Sequence, residues 1–332
     1  MIKNKRLLIY STILILFTLL GCTNHKNDSI EQSEVIEIPE LNLSVNTDTM
    51  DKLLERLVIK NNNDSLRVPT MINKIDDTYY IVDCSNHNIL YCNDINAELT
   101  QWNKLPGSFN KPHCFVGDGT FFIVVDTENN RLATYKKEND SFIFIESIDN
   151  IGFRPHYAMY HDEHYYVWNG VNQIYVYTEN NYKLILENAY YIPELEGDYV
   201  RSFTLYDDEW YFPTSSGKIV VTDLNFTYTR EYSVPNNIAG LSYIYKRDDY
   251  WYVNVFTNIE YDTSYTDLVR CKDLSLLETG EYESLYDKLG LKSSPYYVYI
   301  FDDSYYMTTL SGYNAIYRLD NINGEISCVQ IF

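Results

Sequence analysis

The sequence predicts an all-β protein, a six-bladed β-propeller of four-stranded blades, and two observations carry that prediction. The first is a set of landmarks that recur every 43 residues, with Pro69, Pro112 and Pro155 in one phase and Asp83 and Asp126 in another. A fixed period of this length is typical of repeats that bury their apolar faces against one another. The second is a set of six acidic turns between apolar strands, a pattern that favours hairpins. These turns are Asp76-Asp77, Asp118-Gly119, Asp162-Glu163, Asp208-Glu209, Asp248-Asp249 and Asp302-Asp303.

Composition and charge agree with this fold class and exclude one class of partner. The 332 residues are 45% hydrophobic and include 34 tyrosines, which suit strands because aromatic rings pack across a pleated surface. Acidic residues outnumber basic ones by 47 to 26, a formal net charge of −21. Such a surface repels phosphate backbones, so we expect no binding of nucleic acid.

The N-terminus predicts a signal peptide over residues 1–21. Three basic residues precede an apolar stretch at 7–20, the layout of a secretory signal. The stretch ends in Leu19-Leu20-Gly21-Cys22, which resembles a bacterial lipobox. That resemblance implies cleavage before Cys22 and acylation of its thiol, with diacylglyceryl and palmitate chains inserted in the lipid bilayer. A simple anchor helix and an ordinary secretory signal are the alternatives.

We therefore expect a lipoprotein on the outer side of the cell membrane or in the outer membrane. Residues 22–34 are polar and predict a flexible tether. Residues 35–66 predict a strand at 35–45 and an amphipathic helix at 47–59, both packing on the propeller.

The propeller itself is predicted over 67–332. Its units are 67–110, 111–153, 154–199, 200–241, 242–294 and 295–332. Strands are predicted at 71–74, 79–82, 89–92, 99–104, 114–116, 121–125, 131–135, 142–147, 157–159, 165–168, 173–177, 183–186, 203–205, 210–212, 218–222, 229–234, 250–255, 268–272, 296–301, 304–308, 315–319 and 326–331. A seven-bladed count, with extra strands from 35–66, is the competing interpretation. Two ways of closing the ring stay open. Units one and six could contact each other directly, or the N-terminal strand could add to one of them.

One unit carries a family resemblance. Val125-Asp126-Thr127-Glu128-Asn129-Asn130-Arg131-Leu132 is similar to the NHL repeat, whose second strand ends in Asp and whose third begins after Asn-Asn-Arg. Residues 82–89 and 168–174 resemble it more weakly, and units four to six lack the pattern. The resemblance implies a propeller that serves as a binding platform and, in some members, as an enzyme.

The candidate site is the ring of residues at the start of each unit's first strand, which lines the channel of a propeller. This ring is basic and aromatic on an otherwise acidic protein, so it predicts a site for an anionic or sugar-like ligand. Its members are Arg67, Thr70, Lys111, His113, Arg154, His156, Arg201, Tyr243 and Tyr297. Pairing of the basic residues with acidic turns of neighbouring blades is the structural alternative.

No cofactor, metal or catalytic residue is assigned. His113 and His156, with Thr70, Ser202 and Tyr243 in the equivalent places, make a poor zinc set because zinc takes three or four N, S or carboxylate ligands. Three functional hypotheses remain. The leading one is a non-enzymatic module that binds a small molecule, a glycan or an envelope protein. The alternatives are a lyase or hydrolase acting on carbohydrate or peptide through a channel histidine, and a structural subunit of an envelope complex.

Overall fold

The computed structural model describes residues 59–256, 266–311, 313–322 and 325–332, and it confirms the six-bladed β-propeller. The predicted signal peptide, Cys22, the tether and the strand at 35–45 lie outside the described residues. So does the helix predicted at 47–59, except that Ile59 belongs to a strand. In the part of the chain that is described, no helix is long and apolar enough to cross a membrane.

Each blade is an antiparallel sheet of four strands that follow one another in sequence order, and blade one carries an additional short strand at its edge. Blade one has β1 (Ile59–Lys60), β2 (Pro69–Ile75), β3 (Thr78–Asp83), β4 (Asn88–Cys92) and β5 (Asn103–Lys104). Blade two has β6 (Pro112–Gly117), β7 (Phe121–Asp126), β8 (Arg131–Glu138) and β9 (Ser141–Asp149). Blade three has β10 (Ala158–His161), β11 (His164–Trp168), β12 (Gln173–Asn180) and β13 (Lys183–Tyr191).

The second half follows the same plan. Blade four has β14 (Thr204–Tyr206), β15 (Glu209–Pro213), β16 (Lys218–Thr222) and β17 (Tyr228–Ser233). Blade five has β18 (Leu241–Arg247), β19 (Tyr250–Val255), β20 (Asp267–Cys271) and β21 (Glu283–Ser284), with the short helix α1 (Ser275–Glu278) before β21. Blade six has β22 (Ser294–Phe301), β23 (Ser304–Leu310), β24 (Ala315–Ile322) and β25 (Glu325–Gln330). Single 3₁₀ turns lie at Cys84–Asn86, Leu99–Gln101, Thr127–Asn129, Pro193–Leu195 and Asn236–Ile238.

One predicted strand is much shorter than expected. The strand placed at 99–104 is extended only at Asn103–Lys104, because Leu99–Gln101 forms a 3₁₀ turn. Glu98 and Gln101 close that turn with a reciprocal capping box, in which the Glu98 N–H donates to Gln101 Oε1 over 3.0 Å. The local hydrogen bonds of the cap replace the ladder hydrogen bonds that a strand would need.

The acidic turns join the first two strands of each blade, as predicted. Asp302 and Asp303 have φ of 49° and 58°, the left-handed conformation that a tight hairpin requires at both central positions. Asp tolerates this conformation better than most residues. In blade four the turn residues are Asp207 and Asp208, with φ of 49° and 60°. The turn therefore lies one residue earlier than predicted, and Glu209 begins β15.

The recurring Asp at the end of the second strand fastens the chain entering the same blade. Asp83 Oδ1 accepts the backbone N–H of Arg67 and Asp126 Oδ1 accepts that of Asn110, each over 2.7 Å. In blade three, Asn169 Oδ1 instead accepts three backbone N–H groups of its own turn. Burial raises the pKa of Asp83 to about 6. The feature that resembles the NHL repeat thus has a structural role in blades one and two.

The hydrophobic core lies between neighbouring sheets. Between blades one and two, the Tyr80 and Phe115 ring centroids are 4.8 Å apart, and within blade two those of Phe122 and Phe142 are 5.2 Å apart. All four rings are almost completely buried. Outer strands such as β17 are largely exposed, so apolar burial is concentrated in the inner strands of each blade.

Among the described residues, no strand is exchanged between the first and last blades. β1 pairs with β5 at the outer edge of blade one, so the N-terminal strand extends that blade and builds no seventh sheet. The seven-bladed alternative is therefore wrong.

Side chains hold the seam between blades six and one. The Trp102 and Phe332 rings meet edge to face at 5.5 Å, and Lys74 Nζ lies 2.7 Å from Asp302 Oδ1. Direct contact between units one and six, one of the two routes that the sequence left open, is therefore present, and the predicted strand at 35–45 that the other route would use lies outside the described residues.

Candidate functional site

In four of the six blades, a β-bulge at the start of the first strand places a side chain at one mouth of the channel. The pairing register shifts by one residue between Pro69 and Met71, and the same shift recurs in blades two, five and six. A bulge leaves one residue outside the ladder and re-aims its side chain. The bulged residues are Thr70, His113, Ser242 and Tyr296. His156 and Arg201 occupy the same phase in blades three and four.

A cavity of about 650 Å³ opens at this mouth, which we call the arginine mouth. Its wall includes His113, Arg154, His156, Arg201 and Tyr199. A volume of this order suits a small organic ligand.

Arg201 is the most unusual charge in the cavity. Its side chain is 5% exposed, and its Nη1 donates to Ser215 Oγ over 2.8 Å. The guanidinium carbon lies 4.7 Å from the Tyr199 ring centroid and 5.0 Å from that of Phe256. No acidic side chain of the described residues forms an ion pair with it. Burial lowers the pKa of Arg201, yet an arginine stays charged at neutral pH.

Arg154 adds a second, partly compensated charge. Its Nη2 donates to Glu128 Oε1 over 2.8 Å, and Glu128 also lies 4.0 Å from Lys111 Nζ. Its Nε is buried and has no hydrogen-bond partner among the described residues. Arg154 therefore retains a donor that a ligand in the cavity could use.

His113 and His156 form a neutral pair beside these arginines, with ring centroids 4.2 Å apart. His156 Nδ1 lies 2.9 Å from the Arg154 carbonyl oxygen, which can only accept, so Nδ1 carries the proton. His156 Nε2 then accepts from the Tyr199 hydroxyl over 2.6 Å. Burial, together with the charges of Arg201 and Arg154, lowers the pKa of His156 to about 3.

The pKa of His113 is also well below its usual value, because of burial and then the proximity of His156. His113 Nδ1 has no hydrogen-bond partner within the described ranges. The positive charge of the mouth therefore comes from the arginines, and the histidines offer uncharged ring nitrogens.

The nine predicted ring residues separate into four groups. His113, Arg154, His156 and Arg201 line the cavity together. Thr70 is buried just below it and donates to the His113 carbonyl oxygen over 2.9 Å. Tyr243 and Tyr297 lie deeper in the channel, one position after the bulged residue of their strands. Arg67 and Lys111 are exposed and contribute nothing to the cavity wall.

Several wall residues were not predicted from the sequence, among them Tyr199, Ser215, Phe256 and Tyr296. Tyr296 follows Pro295 as His113 follows Pro112, so the phase of the repeat could have identified it. Ser215 and Phe256 come from turns after second strands, where the sequence carries no such signal.

The described residues contain no group of three or more His, Cys, Asp or Glu side chains that could hold a metal ion. The two histidines are joined at this mouth by arginine, tyrosine and serine, and cationic guanidinium groups are poor neighbours for a metal cation.

Comparison with known proteins supports the fold. No protein-family model and no curated protein matches the sequence. A candidate 6-phosphogluconolactonase from Bacteroides uniformis matches with a TM-score of 0.56 at 11% identity, covering 81% of this chain and 86% of that one. A protein from Lactobacillus plantarum matches with a TM-score of 0.56 at 14% identity over the same shares. A candidate 6-phosphogluconolactonase from Bacteroides fragilis gives 0.56 at 13% identity, covering 79% and 83%. Identities this low show the propeller fold alone.

Proposed function

We propose that this propeller is a binding module for a small anionic ligand, held at the arginine mouth. The observation that carries the proposal is Arg201, a buried guanidinium in an open cavity with no acidic partner among the described residues. Burying a charge costs free energy unless an opposite charge or hydrogen bonds compensate it. A carboxylate, phosphate or sulfate group of a ligand would supply that compensation.

The other wall residues narrow the ligand class. Neutral His113 offers a ring nitrogen, and Ser215 and Ser216 offer hydroxyls that can both donate and accept. Phe256 and Tyr296 supply flat apolar surface. A sugar acid or a sugar phosphate combines an anionic group, several hydroxyls and an apolar ring face, and one such ring fits the cavity.

Isothermal titration calorimetry on the full chain in detergent tests the proposal, with gluconate, 6-phosphogluconate and uncharged glucose as probes. We expect one-to-one binding of at least one anion and markedly weaker binding of glucose. The Arg201→Gln variant should bind the anion about tenfold to a hundredfold more weakly. Arg318→Gln, which removes a half-buried arginine on β24 outside the cavity wall, should bind it as the parent does. Equal affinity of Arg201→Gln and the parent for the anion would refute the proposal.

A second candidate function is hydrolysis of a phosphorylated or acidic sugar lactone at the same mouth. The unpartnered Nδ1 of neutral His113 favours it, because such a nitrogen can accept a proton from an attacking water molecule. The names of the Bacteroides structures point to the same substrate class. Hydrolysis of 6-phosphogluconolactone would be measured through the acid that it releases. His113→Gln should abolish turnover and preserve anion binding if this candidate is correct.

We also propose that Cys22 is acylated and holds the propeller on the outer side of a membrane. The lipobox-like Leu19-Leu20-Gly21-Cys22 supports this. Incorporation of labelled palmitate into the parent, and its loss in Cys22→Ser together with release into the soluble fraction, would agree with the proposal. An unlabelled parent would refute it.

A further inference from the structure

We propose that the opposite mouth of the channel binds an organic ammonium ion. A second cavity, of about 400 Å³, opens there, and we call this end the tyrosine mouth. Five tyrosines line it, and they are Tyr157, Tyr160, Tyr243, Tyr297 and Tyr299. This site is separate from the proposed anion site and does not depend on it.

The two cavities are divided by a plug inside the channel. The hydroxyls of Tyr157 and Tyr297 are 2.5 Å apart, and the space between this plug and the arginine mouth is only about 10 Å³. A ligand in one cavity therefore does not reach the other.

The wall of the tyrosine mouth is a set of closely packed rings. The ring centroid of Tyr297 lies 4.5 Å from that of Tyr243, 5.5 Å from that of Tyr157 and 6.2 Å from that of Tyr299. Burial raises the pKa of Tyr243 to about 12 and that of Tyr299 above its usual value, so these rings are uncharged at neutral pH. Neutral aromatic faces attract cations through their quadrupole, most strongly in a desolvated pocket.

The rim of this mouth is acidic. The first strands that line the cavity run directly into the hairpin turns, for example from Gly117 to Asp118 and from Ile300 to Asp302. The carboxylates of these turns are Asp76, Asp77, Asp118, Asp162, Glu163, Asp207, Asp208, Asp248, Asp249, Asp302 and Asp303. A rim of one sign around a low-dielectric cavity concentrates ions of the opposite sign.

Three basic residues of the first strands face this rim and do not cancel it. Lys74 is held by both carboxylate oxygens of Asp302, at 2.7 Å and 2.9 Å. Arg247 lies 3.9 Å from Asp248, and Lys246 lies over the Tyr206 ring, 4.5 Å from its centroid. The remaining turn carboxylates outnumber them.

A buried acceptor points to a ligand in the cavity. Asn73 lines the wall and is 1% exposed, with its Nδ2 donating to the Phe115 carbonyl oxygen over 2.8 Å. Its Oδ1 has no hydrogen-bond partner anywhere in the described chain. A buried acceptor without a donor is costly, and an N–H or O–H of a bound ammonium compound would satisfy it.

The protein already holds an ammonium group in this way at the seam. Lys74 Nζ lies 5.1 Å from the Tyr79 ring centroid while it pairs with Asp302. A carboxylate and a tyrosine face together are the elements that the tyrosine mouth would offer to a free cation.

The test is calorimetric titration of the full chain at low ionic strength with choline and with spermidine. The neutral carbon isostere of choline, 3,3-dimethylbutan-1-ol, separates charge from shape. We expect at least one cation to bind one-to-one, and the isostere to bind at least about tenfold more weakly, because a desolvated cation–π site depends on charge. Added salt should weaken the cation.

Variants locate the site. Tyr160→Leu and Tyr299→Leu, at two half-buried positions, keep apolar bulk and remove the ring, so each should weaken the cation about fivefold to tenfold. Tyr228→Leu, on the outer strand β17, is the matched control and should bind as the parent does. Arg201→Gln should also leave the cation affinity unchanged, which distinguishes this site from the anion site.

Three results would overturn the proposal. The first is that neither cation binds at concentrations up to about 10 mM, which corresponds to a binding free energy of about 3 kcal/mol or less. The second is that the isostere binds as tightly as choline. The third is that folded Tyr160→Leu and Tyr299→Leu bind the cation as tightly as the parent does. If the tyrosine variants do not fold, Asp162→Asn combined with Asp303→Asn keeps residues that tolerate left-handed turns. That double variant should bind the cation more weakly than the parent, and equal affinity would equally contradict the proposal.

Discussion

The two mouths lie at opposite ends of the blades' first strands and have opposite chemistry. At the arginine mouth, residues at or just before the start of the first strands, among them His113, His156 and Arg201, line the cavity. At the tyrosine mouth, regular strand positions bring tyrosines into the wall, and tight hairpins add aspartates at the rim. The difference follows position along one strand, because the bulge lies at its start and the hairpin at its end. One repeat can thus supply two sites that need not compete.

The plug between the mouths gives the largest expected effect. Tyr297→Ala removes a buried ring that contacts Tyr243 and Tyr157, so we expect the free energy of unfolding to fall by about 3–5 kcal/mol. Tyr297→Phe loses only the hydroxyl and should cost about 1 kcal/mol. Urea unfolding measures both. A loss below about 1 kcal/mol for the alanine variant would show that the plug is not a packed part of the core.

At the arginine mouth, we expect one substitution to weaken ligand binding without lowering the stability of the fold. Arg201→Gln should weaken a bound anion about tenfold to a hundredfold, the range for a hydrogen bond to a charged group. The same change removes a buried charge without an acidic partner among the described residues, so the unliganded free energy of unfolding should stay the same or rise by about 1 kcal/mol. Thermal unfolding with and without gluconate separates the two effects. A strongly destabilised variant would indicate a structural role instead.

We expect acid to lower the stability of the fold through His156 at the arginine mouth. An unfolded histidine titrates near pH 6.5, whereas His156 in the fold has a pKa of about 3. Between these values the unfolded chain binds the proton and the fold does not, so stability falls as pH falls, by up to about 1.4 kcal/mol per pH unit. His156→Gln should flatten this slope in urea unfolding between pH 6 and 4. Asp83, with its raised pKa, contributes the opposite slope equally to both proteins. Parallel curves would contradict the assignment.

We expect alkali to lower the stability of the fold through Tyr243 at the tyrosine mouth. An unfolded tyrosine titrates near pH 10, and burial raises the pKa of Tyr243 to about 12. Above pH 10 the unfolded chain loses the proton first, so stability falls as pH rises through this window. Tyr243→Phe should lose less stability than the parent between pH 9.5 and 11 in urea unfolding. An equal loss of stability in the two proteins would contradict this expectation.

The smallest effect is expected outside the cavity. Lys111→Gln should change the affinity for gluconate by no more than about twofold, because an exposed lysine near Glu128 is screened by salt. Calorimetric titration with gluconate would compare Lys111→Gln with Arg154→Gln, because Arg154 lines the cavity wall. A larger loss for Lys111→Gln would extend the site beyond the cavity described here.

The number of blades could be predicted because hairpin chemistry is local. Each acidic turn needs residues that tolerate positive φ, and a short sequence pattern is enough to identify it, as at Asp302-Asp303. The β-bulges have no such sequence pattern. They displaced the prediction by one residue in blades five and six, where Ser242 and Tyr296 occupy the bulge position and not Tyr243 and Tyr297.

The residues that the sequence did not reveal lie where the repeat loses its period. Tyr199 stands at the end of a connection that is longer in blade three than in blade two, and Phe256 follows a second strand that leads into an insertion. A repeat fixes the phase of its strands and leaves the paths of its connections open. Three ring members at the constant phase, His113, His156 and Arg201, were accordingly found, and these two were not.

The way the ring is closed bears on how such a protein can change over generations. Because β2 to β5 and each later set of four strands come from one uninterrupted stretch of chain, a duplicated or deleted gene segment adds or removes one whole blade. A ring fastened by a strand shared between its ends would have to rebuild that joint each time. In the described part of this chain, the blades meet at the seam through facing side chains, such as Trp102 and Phe332, and these would need to adapt to a new neighbour. The architecture leaves blade number open to revision by recombination.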